Sequence, residues 1–124
     1  MKLKPSAPPI PSECPLEACL RLLAGAWTPQ ILWYARPGPQ RFGELKRAVP
    51  GVSAKVLTTR LRELEARGIL QRTVLPSSPP AVEYALTDLG REFIPVLDAI
   101  AAVGGKLRKS TGKSAPRAKS ASAR

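Results

Sequence analysis

The chain has no histidine, two cysteines and one methionine in 124 residues, and aromatics make up only 5% of it. Without histidine, the side chain that most often moves protons near neutral pH is missing. No pair of carboxylates stands out to replace it, so acid–base catalysis has no evident machinery and an enzyme is not expected. A peroxidase built on Cys14 would lack an activating partner. Two cysteines and no histidine also argue against a disulfide framework and a Cys/His zinc site. No apolar run approaches the roughly 18 residues that a spanning helix needs. The Met1-Lys2-Leu3-Lys4 start leads into Pro5, Pro8, Pro9 and Pro11 with no apolar segment between, so a secretory signal is not expected and a cytoplasmic location is. Internal repeats and a Gly-rich phosphate loop are missing too, and no cofactor is implied.

Acidic residues are scarce: nine stand against 20 Lys and Arg, leaving a net charge of +11. The excess is uneven. Lys2 and Lys4 sit at the start, and residues from 105 onward hold seven cations and no acid. Residues 10–104 carry eleven basic and nine acidic residues, yet positions 36–72 alone hold nine cations against Glu44, Glu63 and Glu65. Such a concentrated positive field suits a polyanion, because each neutralised phosphate releases counterions.

Composition divides the chain into a Pro-rich segment at 1–12, one domain at 13–108 and a basic tail at 109–124, with both ends read as disordered. A domain of roughly 90 residues is small enough that pairing with a copy of itself often completes its core. A first helix is predicted after Pro15, carrying Leu16, Leu20 and Leu23 and stopping at Gly25. Thr28 as cap and Pro29 as first helical residue start a second, which ends at Pro37-Gly38-Pro39. Arg41-Phe42 reads as a short strand and residues 43–49 as a helix, followed by a Pro50-Gly51-Val52 turn. Ser53 then caps a helix whose Val56, Leu57, Leu61 and Leu64 form an inward stripe up to Gly68. Strands at 69–75 and 82–86 flank Pro76-Ser77-Ser78-Pro79-Pro80 as a hairpin. Thr87-Asp88 opens a last helix, kinked by Pro95, that carries Leu89, Phe93, Val96, Leu97, Ile100 and Val103. The order predicts a mainly α fold with a small β-hairpin, a winged helix-turn-helix.

The helix after Ser53 turns Lys55, Thr58, Thr59 and Arg62 outward together. On any amphipathic helix that is an ordinary solvated face; inside a helix-turn-helix with a wing it suits the DNA major groove, where Arg and Lys reach guanine edges and phosphates and Thr packs on thymine. Ser53 suits a helix cap, with its amide free to meet a phosphate. Arg41, Lys46 and Arg47 are placed to position phosphates, with a solvated face as the alternative, and Arg72 with Ser77 and Ser78 at the wing tip to lean on the backbone or the minor groove. The apolar stripe on the last helix, Phe93, Val96, Leu97, Ile100 and Val103, is expected to form a dimer interface with Leu16 and Leu20, the alternative being a helix buried in one copy. Two-fold pairing would set the reading helices about 34 Å apart, one turn of B-DNA, and so predicts a pseudo-palindromic operator.

Five motifs in order carry a family resemblance: Cys14-Pro15-Leu16-Glu17, Gly25-Ala26-Trp27-Thr28, Arg41-Phe42-Gly43-Glu44-Leu45, residues 56–64 (VLTTRLREL) and residues 82–90 (VEYALTDLG). Together they resemble the HxlR family of bacterial transcription regulators over roughly residues 14–104. The resemblance implies a dimeric winged helix related to the MarR group that binds double-stranded DNA at an inverted repeat. Ala26, where the family often has a polar residue, and Cys19, an additional thiol, depart from its pattern. Cys14 precedes a helix start, where amide dipoles favour a thiolate, and family members include thiol sensors at this place. A structural role is the plainer reading for Cys14, and Cys19 is expected to pack as a small apolar group. The tail reads equally as a nonspecific DNA anchor and as a solubilising extension. An RNA- or ribosome-associated module that draws on the tail is the alternative function.

Overall fold

Three helix starts in this chain, those after Ser53, Thr87 and Arg41, are set by single side chains. Ser53 Oγ accepts from the Val56 N–H at 3.1 Å, Thr87 Oγ1 accepts from the Gly90 N–H at 3.0 Å, and Glu44 Oε1 reaches back to the Arg41 N–H at 2.7 Å. Each satisfies an amide that the first helical turn leaves without a partner. The computed structural model describes residues 14–111. In order they form α1 (Pro15–Leu23), α2 (Thr28–Ala35), β1 (Gln40–Arg41), α3 (Phe42–Ala48), α4 (Ala54–Ala66), β2 (Leu70–Leu75), β3 (Ala81–Leu86), α5 (Asp88–Arg91) and α6 (Phe93–Thr111). The segment expected at 1–12 lies outside the described residues. So does most of that expected at 109–124, although α6 continues through its first residues to Thr111.

The fold is the expected one, mainly helical with a hairpin, and its sheet gains a third strand. β1 pairs antiparallel with β3, and β3 with β2, in the order β1-β3-β2. The core lies where α2, α3 and α4 meet the root of β2, with Ile31, Leu32, Leu45, Leu57, Leu61, Leu64 and Leu70 buried and Leu97 of α6 closing it.

Three starts differ from expectation. α3 begins at Phe42, expected in the strand, which runs instead over Gln40–Arg41. Trp27, not Thr28, caps α2, with φ at 70° and its carbonyl accepting from the Ile31 N–H at 2.9 Å. A left-handed tryptophan costs roughly 1–2 kcal/mol; its indole packs against the core and lies over Gly51, which offsets that cost. The last helix is two helices. Thr87 caps the short α5, a turn intervenes at Glu92, and Phe93 begins α6, so Pro95 falls in a first turn. There its missing N–H has no intrahelical acceptor to lose, and the expected kink in mid-helix is replaced by a break ahead of it.

Candidate nucleic-acid interface

α3 and α4 are joined by a turn locked from inside. Val49 and Val52 are buried, and the Val52 N–H bonds the Val49 carbonyl at 3.4 Å. At about 100° per residue, Thr58, Thr59 and Arg62 lie within about 60° of Lys55 on α4, with Leu57, Leu61 and Leu64 on the opposite side. Burial follows that geometry. The three leucines are buried, Lys55, Thr59 and Arg62 are exposed, and Thr58 is half-buried at the edge of the face. The Thr59 hydroxyl donates to the Lys55 carbonyl at 3.1 Å, which spends its proton within the helix.

Flanking cations come from three elements. Lys46 is exposed on α3, Arg41 at the end of β1 and Arg72 on β2. The register pairs Arg41 with Glu83 and Arg72 with Tyr84. Successive residues of β3 point to opposite sides, so Arg41 and Arg72 belong to opposite faces of the sheet. Ser53 spends its hydroxyl on the α4 cap. Ser77 donates to the Pro79 carbonyl at 2.7 Å and thereby shapes the wing tip, where Ser78 is exposed.

Two of the nine cations at 36–72 are committed elsewhere. Arg36 Nη1 and Nη2 donate to Asp98 Oδ1 and Oδ2 at 2.8 and 3.1 Å, and its guanidinium stacks 4.5 Å from the Trp33 ring centre. The hydrogen-bonded pairing holds the Asp98 carboxyl below its ordinary range and raises Arg36 further. Arg60 donates from Nε to the Ala26 carbonyl at 2.8 Å and from Nη1 to Glu63 at 3.2 Å. Sequence reasoning missed both anchors, because their partners are 62 and 34 residues distant.

The residues expected at a dimer interface separate on α6. Phe93 and Leu97, one turn apart, face the body: Leu97 is only 4% exposed and Phe93 packs on the core. Leu97 is therefore a core residue of one copy, a correction to its expected place in an intermolecular contact. Val96, Ile100 and Val103 continue the same stripe toward its outer edge and are exposed, as are Leu16 and Leu20 of α1. Cys14 stands at the N-cap of α1 as a free, half-buried thiol. Cys19, also free, lines a cavity of about 330 Å³ with Leu22, Ile69 and Phe93. Among the described residues no cluster of three or more potential metal ligands occurs, and no helix is long and apolar enough to cross a membrane.

A helix-turn-helix with one outward polar and cationic face, followed by a β-hairpin, defines a winged helix-turn-helix protein of the DNA-binding class. The chain belongs to the HxlR-like helix-turn-helix family, whose pattern it matches over residues 22–111. It is similar to an HTH-type transcriptional regulator of Methanothermobacter thermautotrophicus, 38% identical over 106 residues that cover 83% of this chain and 81% of the relative. The regulator sll1512 of Synechocystis is 46% identical over 91 residues, 73% of this chain and 67% of the relative. Among solved structures, the redox regulator HypR in its reduced form superposes with a TM-score of 0.72 at 35% identity, covering 82% and 99% of the two chains. The reduced form of the regulator YodB from Bacillus subtilis gives 0.68 at 33% identity, covering 83% and 98%.

Proposed function

We propose that this protein regulates transcription as a homodimer that occupies an inverted-repeat operator, with α4 in the major groove and the β2–β3 wing against the flanking backbone. The observation that carries the proposal is the division of α4, whose leucines are buried while Lys55, Thr59 and Arg62 are exposed. Arg41, Lys46 and Arg72 supply phosphate contacts around it, and the Ser53 amide at the α4 start is available to another. In a gel shift with nonspecific competitor at modest salt, the protein is expected to retard DNA from upstream of its own gene. Failure to discriminate that DNA from the competitor contradicts the proposal, and preference for RNA over duplex supports the RNA-associated module instead.

Regulation by thiol chemistry at Cys14 is the finer part of the proposal. Its support is the free thiol at a helix start and the similarity to HypR, a redox regulator. Treatment with diamide is expected to change operator affinity in the native protein and leave Cys14→Ser unaffected. An equal response in both assigns the effect to another group.

A further inference from the structure

The Arg60 contacts join two motifs that the DNA-reading face leaves unexplained, Gly25-Ala26-Trp27-Thr28 and the inward arginine of α4. Arg60 sits on the flank of α4 with its side chain only 22% exposed, between the buried stripe and the outward face. Its Nε donates at 2.8 Å to the carbonyl of Ala26, in the turn between α1 and α2, and Nη1 is steadied by Glu63 one helical turn on. That turn is shaped to receive it. Left-handed Trp27 starts α2 while the Thr28 N–H closes on the Gly25 carbonyl at 3.0 Å. A side chain at Gly25 would come within 3.5 Å of Arg60 Nε and 2.7 Å of Thr28 Oγ1. An arginine is needed for this. Its planar fork makes both bonds in fixed directions, whereas a lysine offers one mobile ammonium.

We infer that Arg60 is a positioning residue for DNA reading: it braces the recognition helix α4 against the α1–α2 turn. α1 carries Leu16 and Leu20, part of the face assigned above to the partner copy. The brace therefore sets the angle between what reads DNA and what pairs the two copies, and with it the spacing between half-sites that the dimer accepts. This rests on the homodimer reading. Arg60 itself touches no DNA in this scheme.

The test compares three duplexes at one salt concentration: the inverted repeat upstream of the protein's own gene, the same duplex with one arm scrambled, and the repeat with its arms moved apart by a single base pair. Arg60→Lys keeps the charge, so the counterion component of binding is retained. It is expected to bind the single arm within about twofold of the native protein but the intact repeat about tenfold more weakly, and to lose discrimination against the respaced repeat. Glu63→Gln, which leaves the Ala26 bond in place and frees the guanidinium end, is expected to move the same ratios in the same direction by less, and supplies the reading if Arg60→Lys folds poorly. An unchanged ratio of intact repeat to single arm in both variants, or an equal loss on all three duplexes, overturns the brace. If the native protein gains nothing from the second arm, the homodimer reading fails first and the brace with it.

Discussion

A side chain on α4 can meet a base edge or a phosphate, and the two contacts leave different traces in binding data. In helix-turn-helix docking the N-terminal end of the recognition helix faces the bases. Lys55 lies in the first turn of α4 and Arg62 two turns on, both exposed. Lys55→Ala is therefore expected to relax base preference at one operator position, at about 1–3 kcal/mol on the preferred sequence. Arg62→Ala is expected to weaken all sequences alike and to lower the slope of log K against log salt by about 1. Binding titrations on a panel of operator variants at several salt concentrations separate these outcomes, and a reversed pattern would place the helix the other way along the groove. The Arg36–Asp98 clasp makes a prediction at the same scale. Arg36 holds the Asp98 carboxyl low, so the clasp favours the folded state above the unfolded carboxyl's pKa and is lost as pH falls through the depressed folded value. Thermal midpoints of the native protein and Asp98→Asn should differ at neutral pH and converge in strongly acidic solution. Persistence of the gap at low pH would mean that the aspartate acts by packing alone.

At the scale of elements, what the sequence discloses depends on how local the cause is. The Ser53 cap, the Leu57-Leu61-Leu64 stripe and the stop at Gly68, with φ at 77°, all lie within one stretch of chain, and α4 follows from them. The break between α5 and α6 falls where Pro95 cannot continue α5, but the seat of α5 has a distant cause. Gly90 is buried against the residue that leads into β2, and a methyl group there would collide with the Ile69 carbonyl oxygen, which also accepts from the Thr87 N–H at 3.0 Å. The apolar spacing from Leu89 to Val103 runs through the break without showing it, so periodicity alone predicts a single helix. The third strand was half legible for a related reason: Arg41-Phe42 reads as extended, but its partner Glu83 is supplied by the other end of the domain. Gly90→Ala is expected to destabilise by about 1–3 kcal/mol, since Ile69 is backbone and cannot swing aside. Gly105→Ala, on the open side of α6 with nothing within 4 Å of the added carbon, is expected to stabilise by about 0.5–1 kcal/mol. Urea unfolding of the two variants checks both signs, and a neutral Gly90→Ala would show that β2 can withdraw from α5.

For the whole molecule, the decisive feature is that the apolar stripe of α6 is wider than its own body covers. Phe93 and Leu97 are used within the copy, while Ile100 and Val103 remain 52% and 56% exposed, and Leu16 and Leu20 on α1 are equally open. The sequence marked all six as an interface because periodicity records apolar spacing and not which neighbour covers it; only the packing of α2 beneath α6 separates Leu97 from Ile100. A fully buried Ile, Leu or Val is worth roughly 1.5–3 kcal/mol, so a second copy covering these side chains supplies several times the energy of any single contact on the surface. Ile100→Glu places a charge in that contact at a side chain already half open to solvent. Sedimentation equilibrium is expected to show a dimer for the native protein and a monomer for Ile100→Glu, with far-ultraviolet circular dichroism unchanged. Operator binding should fall to the level of a single arm, because two α4 helices held about 34 Å apart become two independent ligands. Leu97→Glu distinguishes the buried edge of the stripe from the open one: it buries an unpaired charge among Ile31, Leu32 and their neighbours, so it is expected to unfold the copy itself. If Ile100→Glu unfolded the protein as Leu97→Glu does, the open edge of the α6 stripe would belong to the fold and not to a partner.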